Sequence, residues 1–348
     1  MDYRVNVLDN ASVSETRRRW DAVAKPLHSL GRLEDMISQI AGIQQTPDIA
    51  LSPRCALVFC ADHGVVAEGV AQSGSEVTAL VAKSIIQGGA NINHMAAVSG
   101  TDVFAVDMGM LQDADGAINR KISRGTRNLA KELAMTRVEA EASIQAGIDL
   151  AGDMRRRGYR MIATGEMGIG NTTASTAIAC SLLDLEPEEI TGRGAGLSDS
   201  GLMRKTKIIR QALTLHRPDA GDPIDVLSKV GGYEIAGMTG AFIGGMTERI
   251  PTVIDGVISA AAALLAVRIC PQVRDFLLPS HMSREGAMPK IMQELGLEPV
   301  LFADLALGEG TGAVALFPLL DMAYSVYQSV HTFDSLGMEA YTPQGGKS

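Results

Sequence analysis

The sequence has few cysteines, and they do not form a recognisable metal or redox motif. Cys55, Cys60, Cys180 and Cys270 include no Cys-x-x-Cys pair, and they form no set with histidines at the spacing of a zinc site. Each cysteine lies in or beside an apolar run. This placement predicts buried free thiols.

Long apolar segments are also missing. The longest apolar run, residues 257–267, is too short to cross a bilayer and predicts a core helix. The first twenty residues lack the apolar stretch of a secretory signal. We therefore expect a cytoplasmic protein that does not bind membranes.

An excess of basic residues is missing as well. The chain has 31 lysines and arginines against 40 aspartates and glutamates, which gives a net charge of −9. Since nucleic-acid surfaces need surplus positive charge, we expect no nucleic-acid partner. A small anionic substrate stays compatible, because a few local donors can outweigh the net charge. The 46% hydrophobic content excludes a disordered chain.

Short β-rich runs alternate with helical stretches along most of the 348 residues. This alternation predicts an α/β fold, with a parallel Rossmann-like sheet flanked by helices. We expect residues 51–318 to form a large α/β domain, and residues 1–50 and 319–348 to form a small helical lobe. The predicted strands are residues 54–60, 102–106, 159–163, 251–254, 276–278 and 299–307.

Glycine-rich or polar residues follow each predicted strand. In a parallel sheet the carboxyl ends of all strands lie along one edge, where ligands bind. The sequence therefore predicts one active-site crevice, formed by the loops at this edge.

The segment after the third predicted strand, residues 165–173, reads GEMGIGNTT. Its glycines would let backbone N–H groups approach an anion, and Asn171, Thr172 or Thr173 would cap the next helix. A tight strand-to-helix turn is the alternative. Glu166 favours a binding role, because a carboxylate beside an anion-binding turn can grip sugar hydroxyls.

Two further glycine-rich segments carry charged residues. Residues 192–196 (GRGAG), followed by Lys205 and Lys207, suit a phosphate, although a flexible loop and a solvated helix face are alternatives. Residues 308–312 (GEGTG) expose Glu309 at the predicted crevice. Glu309 is a candidate general base, or else a glutamate that favours a helix N-terminus.

Other candidates are weaker. Ser280 and Ser283 flank His281 and could supply hydroxyls for phosphate, while Asp62 and His63 suggest either a catalytic or a structural hydrogen-bonded pair. The chain contains no Walker A loop, no G-x-G-x-x-G dinucleotide turn and no G-x-S-x-G elbow. A dinucleotide-dependent oxidoreductase and a serine hydrolase are therefore disfavoured.

Taken together and in order, five segments of the chain resemble the nicotinate-nucleotide:dimethylbenzimidazole phosphoribosyltransferases, which assemble the lower ligand of cobamides. The resemblance runs from about residue 15 to residue 330. Its segments are Lys25–Glu34 (KPLHSLGRLE), Ala61–Val65 (ADHGV), residues 165–173, Ser280–Ser283 (SHMS) and residues 308–312.

The resemblance implies transfer of phosphoribose from nicotinate mononucleotide to an aromatic base, with inversion and release of nicotinate. Because the glycosylated pyridinium already activates the ribosyl C1, no cofactor and no metal are expected. By the family pattern, Glu309 is the general base, Glu166 and Lys205 bind ribose and phosphate, and Gly168, Gly194 and Ser283 complete the phosphate cradle. The family is typically dimeric, which implies a homodimer or a heterodimer with a paralogue.

The sequence departs from the family pattern around the acceptor. Ser73 and Gly74 replace an aromatic–proline pair, and Leu80 takes the place of a glutamine. We expect an acceptor pocket that includes Gln72, Leu80 and Leu307, and an acceptor broader than dimethylbenzimidazole, with phenol or p-cresol as a candidate. A weakly catalytic subunit of a heteromeric enzyme is the alternative.

Overall fold

The computed structural model describes residues 3–342. Six strands are present: β1 (Arg54–Ala61), β2 (Thr101–Gly109), β3 (Ile118–Asn119), β4 (Met161–Met167), β5 (Thr252–Ile254) and β6 (Leu277–Pro279). The helices are α1 (Asn10–Ala22), α2 (Arg32–Gln44), α3 (Glu76–Ile86), α4 (Asn91–Val98), α5 (Arg137–Arg156), α6 (Asn171–Leu183), α7 (Pro187–Ile190), α8 (Asp199–His216), α9 (Pro223–Val230), α10 (Tyr233–Glu248), α11 (Val257–Ile269), α12 (Met288–Leu295) and α13 (Thr311–Tyr327).

The strands form one sheet in the order β3-β2-β1-β4-β5-β6, and every pairing between them is parallel. The predicted α/β fold with a parallel sheet is therefore confirmed. The chain winds outward from β1 on one side and from β4 on the other, which makes the β1–β4 junction the switch point of the sheet. Ligands bind at the carboxyl ends of strands beside such a switch point.

Both faces of the sheet are covered, as its apolar strands require. Along β1, Leu57 and Phe59 belong to the core on the face of α5, α6, α10 and α11. Their neighbours Ala56 and Val58 belong to the opposite core, with residues of α2, α3, α4 and α13. This alternation follows from the two-residue period of a strand. The predicted core helix at residues 257–267 is confirmed as part of α11, whose first ten residues are all buried.

One predicted strand, residues 299–307, is wrong. Only Leu301 makes a β-bridge there, with His281. Phe302 is 68% exposed, and Asp304 has a φ of 52°, which an extended strand does not allow. The segment therefore runs as an exposed loop towards Gly308.

The predicted helical lobe stays a prediction. Helices α1 and α2 lie within its first segment, but α13 runs across the predicted boundary at residues 318 and 319. Trp20, Ile37 and Phe317 share one core cluster with β1. Residues 1–2 and 343–348 of the predicted lobe lie outside the described residues.

Helices α5 and α10 contact each other backbone to backbone through glycines. A Cβ on Gly240 would overlap the carbonyl oxygen of Ile144, and one on Gly147 would overlap that of Gly237.

Gly240→Ala should therefore lower the free energy of unfolding by about 1–3 kcal/mol, the usual range for overpacking. Gly89→Ala is the matched control, since a Cβ there meets its nearest atom at 3.5 Å. Urea unfolding of both variants tests this, and equal stability losses would contradict it.

Candidate active site

A cavity of about 340 Å³ opens at the carboxyl edge of the sheet, where loops from several strands meet. Val77 and Val81 of α3 and Ile258 of α11 give it an apolar wall. Seven of the residues predicted from the sequence also line it: Gln72, Glu166, Gly168, Gly194, Ser283, Leu307 and Glu309. The structure thus gathers segments that are up to 237 positions apart in the sequence, from 72 to 309.

Glu166 lies at the end of β4 and is only 7% exposed. One carboxylate oxygen accepts a hydrogen bond from the Asn171 amide, and the other faces Gly308, where an added Cβ would lie 2.7 Å away. Burial raises the pKa of Glu166 to about 8, and the negative charges of Asp255, Glu234 and Glu309 add to the rise. The hydrogen bond from Asn171 lowers the pKa but does not cancel this effect. Glu166 is therefore mostly neutral at pH 7 and can donate a hydrogen bond as well as accept one.

Glu309 lies in a tight turn between two glycines, with a φ of 61°. Its carboxylate accepts hydrogen bonds from the Ile92 backbone N–H at 3.1 Å and from the Asn91 amide at 3.3 Å. These donors belong to the first turn of α4, so the carboxylate interacts with the positive end of that helix. The carboxylate is half-buried and lines the cavity, which leaves it within reach of a ligand.

The backbone of this turn lies directly against Glu166. A Cβ on Gly165 would overlap the carbonyl group of Glu309. Because residue 165 is a glycine, the end of β4 can approach the 308–310 turn this closely. The two acidic residues of the site are thereby fixed next to each other.

Asp255 stabilises the 308–310 turn through hydrogen bonds. This fully buried carboxylate follows β5 and accepts hydrogen bonds from Gly310 N at 3.1 Å and Ala313 N at 3.0 Å, at the start of α13. Burial raises its pKa to about 6, while the backbone hydrogen bonds oppose the rise. No local sequence pattern marks Asp255, because its hydrogen-bond partners lie 55 and 58 positions away.

Lys205 of α8 lies just behind the cavity wall and is fully buried. Its Nζ donates hydrogen bonds to Thr172 Oγ1 at 2.8 Å and to the Gly192 carbonyl at 3.0 Å. A Cβ on Gly194 would lie 3.6 Å from Nζ. Burial lowers the pKa of Lys205 to about 8, against the charge of Glu285. An ammonium group therefore supports the 192–196 loop from behind.

The helix after residues 165–170 begins differently from the prediction. The N-cap of α6 is Gly170, with a φ of 96° and no side-chain cap, so Asn171, Thr172 and Thr173 lie inside the first turn. A Cβ on Gly168 would lie 2.5 Å from the Ala61 carbonyl oxygen. The loop thus packs on the end of β1, and the start of α6 lies at the cavity, with Asn171 N and Thr173 N bonded to the carbonyls of Gly168 and Gly170.

Leu80 is the predicted pocket residue that the structure places elsewhere. It belongs to α3 but is 60% exposed and lies outside the cavity lining. Successive residues of a helix point about 100° apart. When Val77 and Val81 face the cavity, Leu80 therefore points towards solvent. Gln72, by contrast, lines the cavity, and its amide donates to the Gly196 carbonyl.

Asp62 and His63 do not pair with each other. Asp62 accepts a hydrogen bond from Leu111 N at 2.7 Å, and His63 pairs with Glu234 at 2.7 Å. Neither residue lines the cavity, so the geometry does not support a catalytic Asp62–His63 pair.

Within residues 3–342, no helix is long and apolar enough to span a membrane, and no group of three or more His, Cys, Asp or Glu residues is arranged to hold a metal ion. All four cysteines are buried free thiols, as predicted.

The chain is similar to known proteins along nearly its whole length. A family model described as phosphoribosyltransferase (DBI_PRT) matches residues 5–338. The nicotinate-nucleotide–dimethylbenzimidazole phosphoribosyltransferase of Acetivibrio thermocellus is 47% identical over 330 residues, covering 94% of each chain. The enzyme of the same name from Clostridium acetobutylicum is 43% identical over 341 residues, covering 97% of each chain.

Among solved structures, CobT from Thermus thermophilus has a TM-score of 0.89 and 39% identity, and the match covers 94% of this chain and 99% of that one. Sequence and fold are thus shared along nearly the whole chain. The protein belongs to the nicotinate-nucleotide–dimethylbenzimidazole phosphoribosyltransferase family, pentosyltransferases of cobamide synthesis.

Proposed function

We propose that this chain transfers phosphoribose from nicotinate mononucleotide to an aromatic base of the benzimidazole or phenol type, which gives an α-linked ribotide and nicotinate. One observation carries the proposal. A single cavity has an accessible carboxylate, Glu309, beside an apolar wall, and a buried ammonium, Lys205, behind two glycine loops.

The phosphoribose half of the site is assigned to the two glycine loops. Gly168, Gly194 and Ser283 line the cavity and offer backbone N–H groups and a hydroxyl, and Lys205 adds positive charge behind them. Glu166, as a neutral carboxyl, is assigned to the ribose hydroxyls. Together these groups hold the anion and orient the ribosyl C1.

In the chemical step, an acceptor nitrogen or oxygen forms a bond to the ribosyl C1. The C1–N bond to the pyridinium breaks, and its electron pair returns to the nicotinate ring. Glu309 takes the proton that the acceptor loses, as general base. Its contacts with Asn91 and Ile92 aim the carboxylate without occupying all of its lone pairs.

The acceptor half is assigned to Val77, Val81, Ile258 and Leu307, with Gln72 as its polar member. An apolar wall of this kind suits a flat ring and offers few groups that require a particular hydrogen-bonding pattern on the base. This chemistry favours a broad acceptor range that includes phenol and p-cresol.

Product analysis with purified protein, nicotinate mononucleotide and a panel of benzimidazoles, purines and phenols tests the proposal. We expect α-linked ribotides from benzimidazoles and phenols, and little product from purines, whose polar edges the wall cannot satisfy. Efficient turnover of dimethylbenzimidazole with none of phenols would reject the broad acceptor range. Loss of nicotinate without any ribotide would reject the transfer itself.

The wall also predicts which side chains set acceptor choice. Val81→Gln adds a polar amide where a ring would pack, and should lower kcat/KM for p-cresol by about tenfold, from the lost apolar contact and the desolvated amide. Leu80→Gln makes the same chemical change one residue away, on the exposed side, and should leave kcat/KM unchanged. A larger effect at Leu80 than at Val81 would contradict this assignment of the wall.

Nucleotide binding should weaken as the pH rises through about 8. Below this pH Lys205 is charged and Glu166 is neutral, and above it the ammonium loses its charge while the carboxyl gains one. Both changes disfavour a phosphate anion, so KM for nicotinate mononucleotide should rise about tenfold between pH 7 and pH 9. Glu166→Gln should keep only the Lys205 part of this rise. A flat KM in the wild-type protein over this range would contradict the two assignments.

We also propose that the chain works as a dimer, either with itself or with a paralogue. Leu307 lines the acceptor half of the cavity and yet is 51% exposed, which favours a covering partner. Mass measurement in solution and assays of the chain alone test this. Turnover by a monodisperse monomer would reject it, and turnover only with a paralogue would favour the heteromeric form.

A further inference from the structure

His63 and Glu234 form a buried pair that the proposed chemistry does not use. His63 follows β1, and Glu234 lies in the first turn of α10. Their side chains are 0% exposed, and Nε2 of His63 lies 2.7 Å from Oε1 of Glu234. Neither residue lines the cavity, so neither can exchange a proton with a bound substrate.

The His63 side chain lies between two glycine segments. On one side lies the 165–170 loop, where a Cβ on Gly168 would be 3.5 Å from Nε2 and a Cβ on Gly170 would be 3.2 Å from the Cβ of His63. On the other side lies Gly232, where a Cβ would overlap the imidazole ring. The ring therefore occupies space that a side chain at Gly232 would need, and it lies beside the 168–170 backbone.

The same loop carries the groups assigned to phosphoribose. A Cβ on Gly168 would also lie 3.4 Å from Nδ2 of Asn171, the amide that donates to Glu166. A connected path thus runs from Glu234 through His63 and the loop backbone to Asn171 and Glu166.

The pair is poorly suited to a purely stabilising role. Nδ1 of His63 and Oε2 of Glu234 have no hydrogen-bond partner among the described residues. Apolar side chains of similar volume would fill this space without two unsatisfied groups. What a hydrogen-bonded carboxylate adds is a fixed orientation of the imidazole ring.

We propose that His63 and Glu234 are positioning residues for the phosphoribose loop. Glu234 fixes the His63 ring, and the ring holds the Gly168–Gly170 backbone so that the start of α6 and Asn171 face the cavity. This inference rests on the proposed function only in naming the ligand of the loop.

Glu234→Gln tests the proposal with little change of shape, and His63→Gln is a second variant that removes the ring. Both should raise KM for nicotinate mononucleotide by at least about tenfold while kcat at saturating nucleotide stays within about threefold. The control is Asp321→Asn, which weakens the Arg54–Asp321 ion pair at the opposite end of β1. It should lower the melting temperature and leave KM unchanged.

Hydrogen exchange without any substrate separates this inference from the proposed function. Amides of residues 168–173 should exchange at least about fivefold faster in Glu234→Gln than in the wild type, and no faster in the control. Faster exchange supports the positioning role even if the wild-type protein fails to bind nicotinate mononucleotide, a result that would reject only the proposed function. Unchanged exchange in both His63 and Glu234 variants overturns the positioning role, as does an unchanged KM.

Discussion

Glu309→Gln should lower kcat by at least about two orders of magnitude and leave the dissociation constant of nicotinate mononucleotide nearly unchanged. The amide retains the size of the side chain and can still accept a hydrogen bond from Ile92 N, but it cannot take a proton. The loss should therefore fall on the chemical step. Steady-state kinetics with a phenol acceptor, together with calorimetric titration of the nucleotide, measures the two quantities separately.

The acceptor itself provides the sharpest control for this prediction. A nitrophenol that is already ionised at the assay pH does not need a base, so Glu309→Gln should lose much less turnover with it than with phenol. Asn91→Ala removes one contact of Glu309 while keeping the base, and should cost less than about tenfold. Equal turnover by Glu309→Gln and wild type with unionised acceptors would remove Glu309 from the role of base.

Lys205→Met should weaken binding of nicotinate mononucleotide by about one to two orders of magnitude, the usual range for a charge-assisted contact of about 1.5–3 kcal/mol. Methionine fills the buried space but removes the charge and the hydrogen bonds to Thr172 and Gly192. The 192–196 loop then loses its support as well as its charge. Calorimetric titration at low and high salt measures the effect, and the difference from wild type should shrink as salt rises.

Lys207 is the matched control, because it lies two residues along the same helix and is exposed. Lys207→Met should bind the nucleotide like the wild type. Similar losses in both variants would mean that Lys205 acts only through net charge, and no loss at Lys205 would remove it from the phosphate site.

The sequence predicts the strands that carry the candidate site because their signals are local. β1 is a nearly continuous apolar run, and β4 begins with one at residues 161–163. The glycines at the end of β4 and after it mark places where backbones approach closely, as Gly165 and Gly168 do. Since the sheet is parallel, the edge that gathers these segments followed from the fold class alone.

The parts that the sequence missed depend on long-range contacts or on the direction of one side chain. Asp255 supports Gly310 from 55 positions away, and Asn91 reaches Glu309 across 218 positions, so no local pattern marks either contact. Leu80 was misplaced because the family pattern gives a position on a helix but not which of its sides faces the cavity. The apolar residues at 299–307 suggested a strand, yet the positive φ of Asp304 makes them a loop.

A crystal structure of the protein with the α-ribotide product tests the central claim most directly. We expect the phosphate to bind the N–H groups of the 165–171 and 192–196 loops close to Lys205, and the transferred ring to lie against Val77 and Val81. The ring atom or oxygen joined to C1 should lie within about 3.2 Å of the Glu309 carboxylate, directly or through one water molecule. A ribotide bound with its phosphate away from both glycine loops, or with its ring remote from Glu309, would contradict the account.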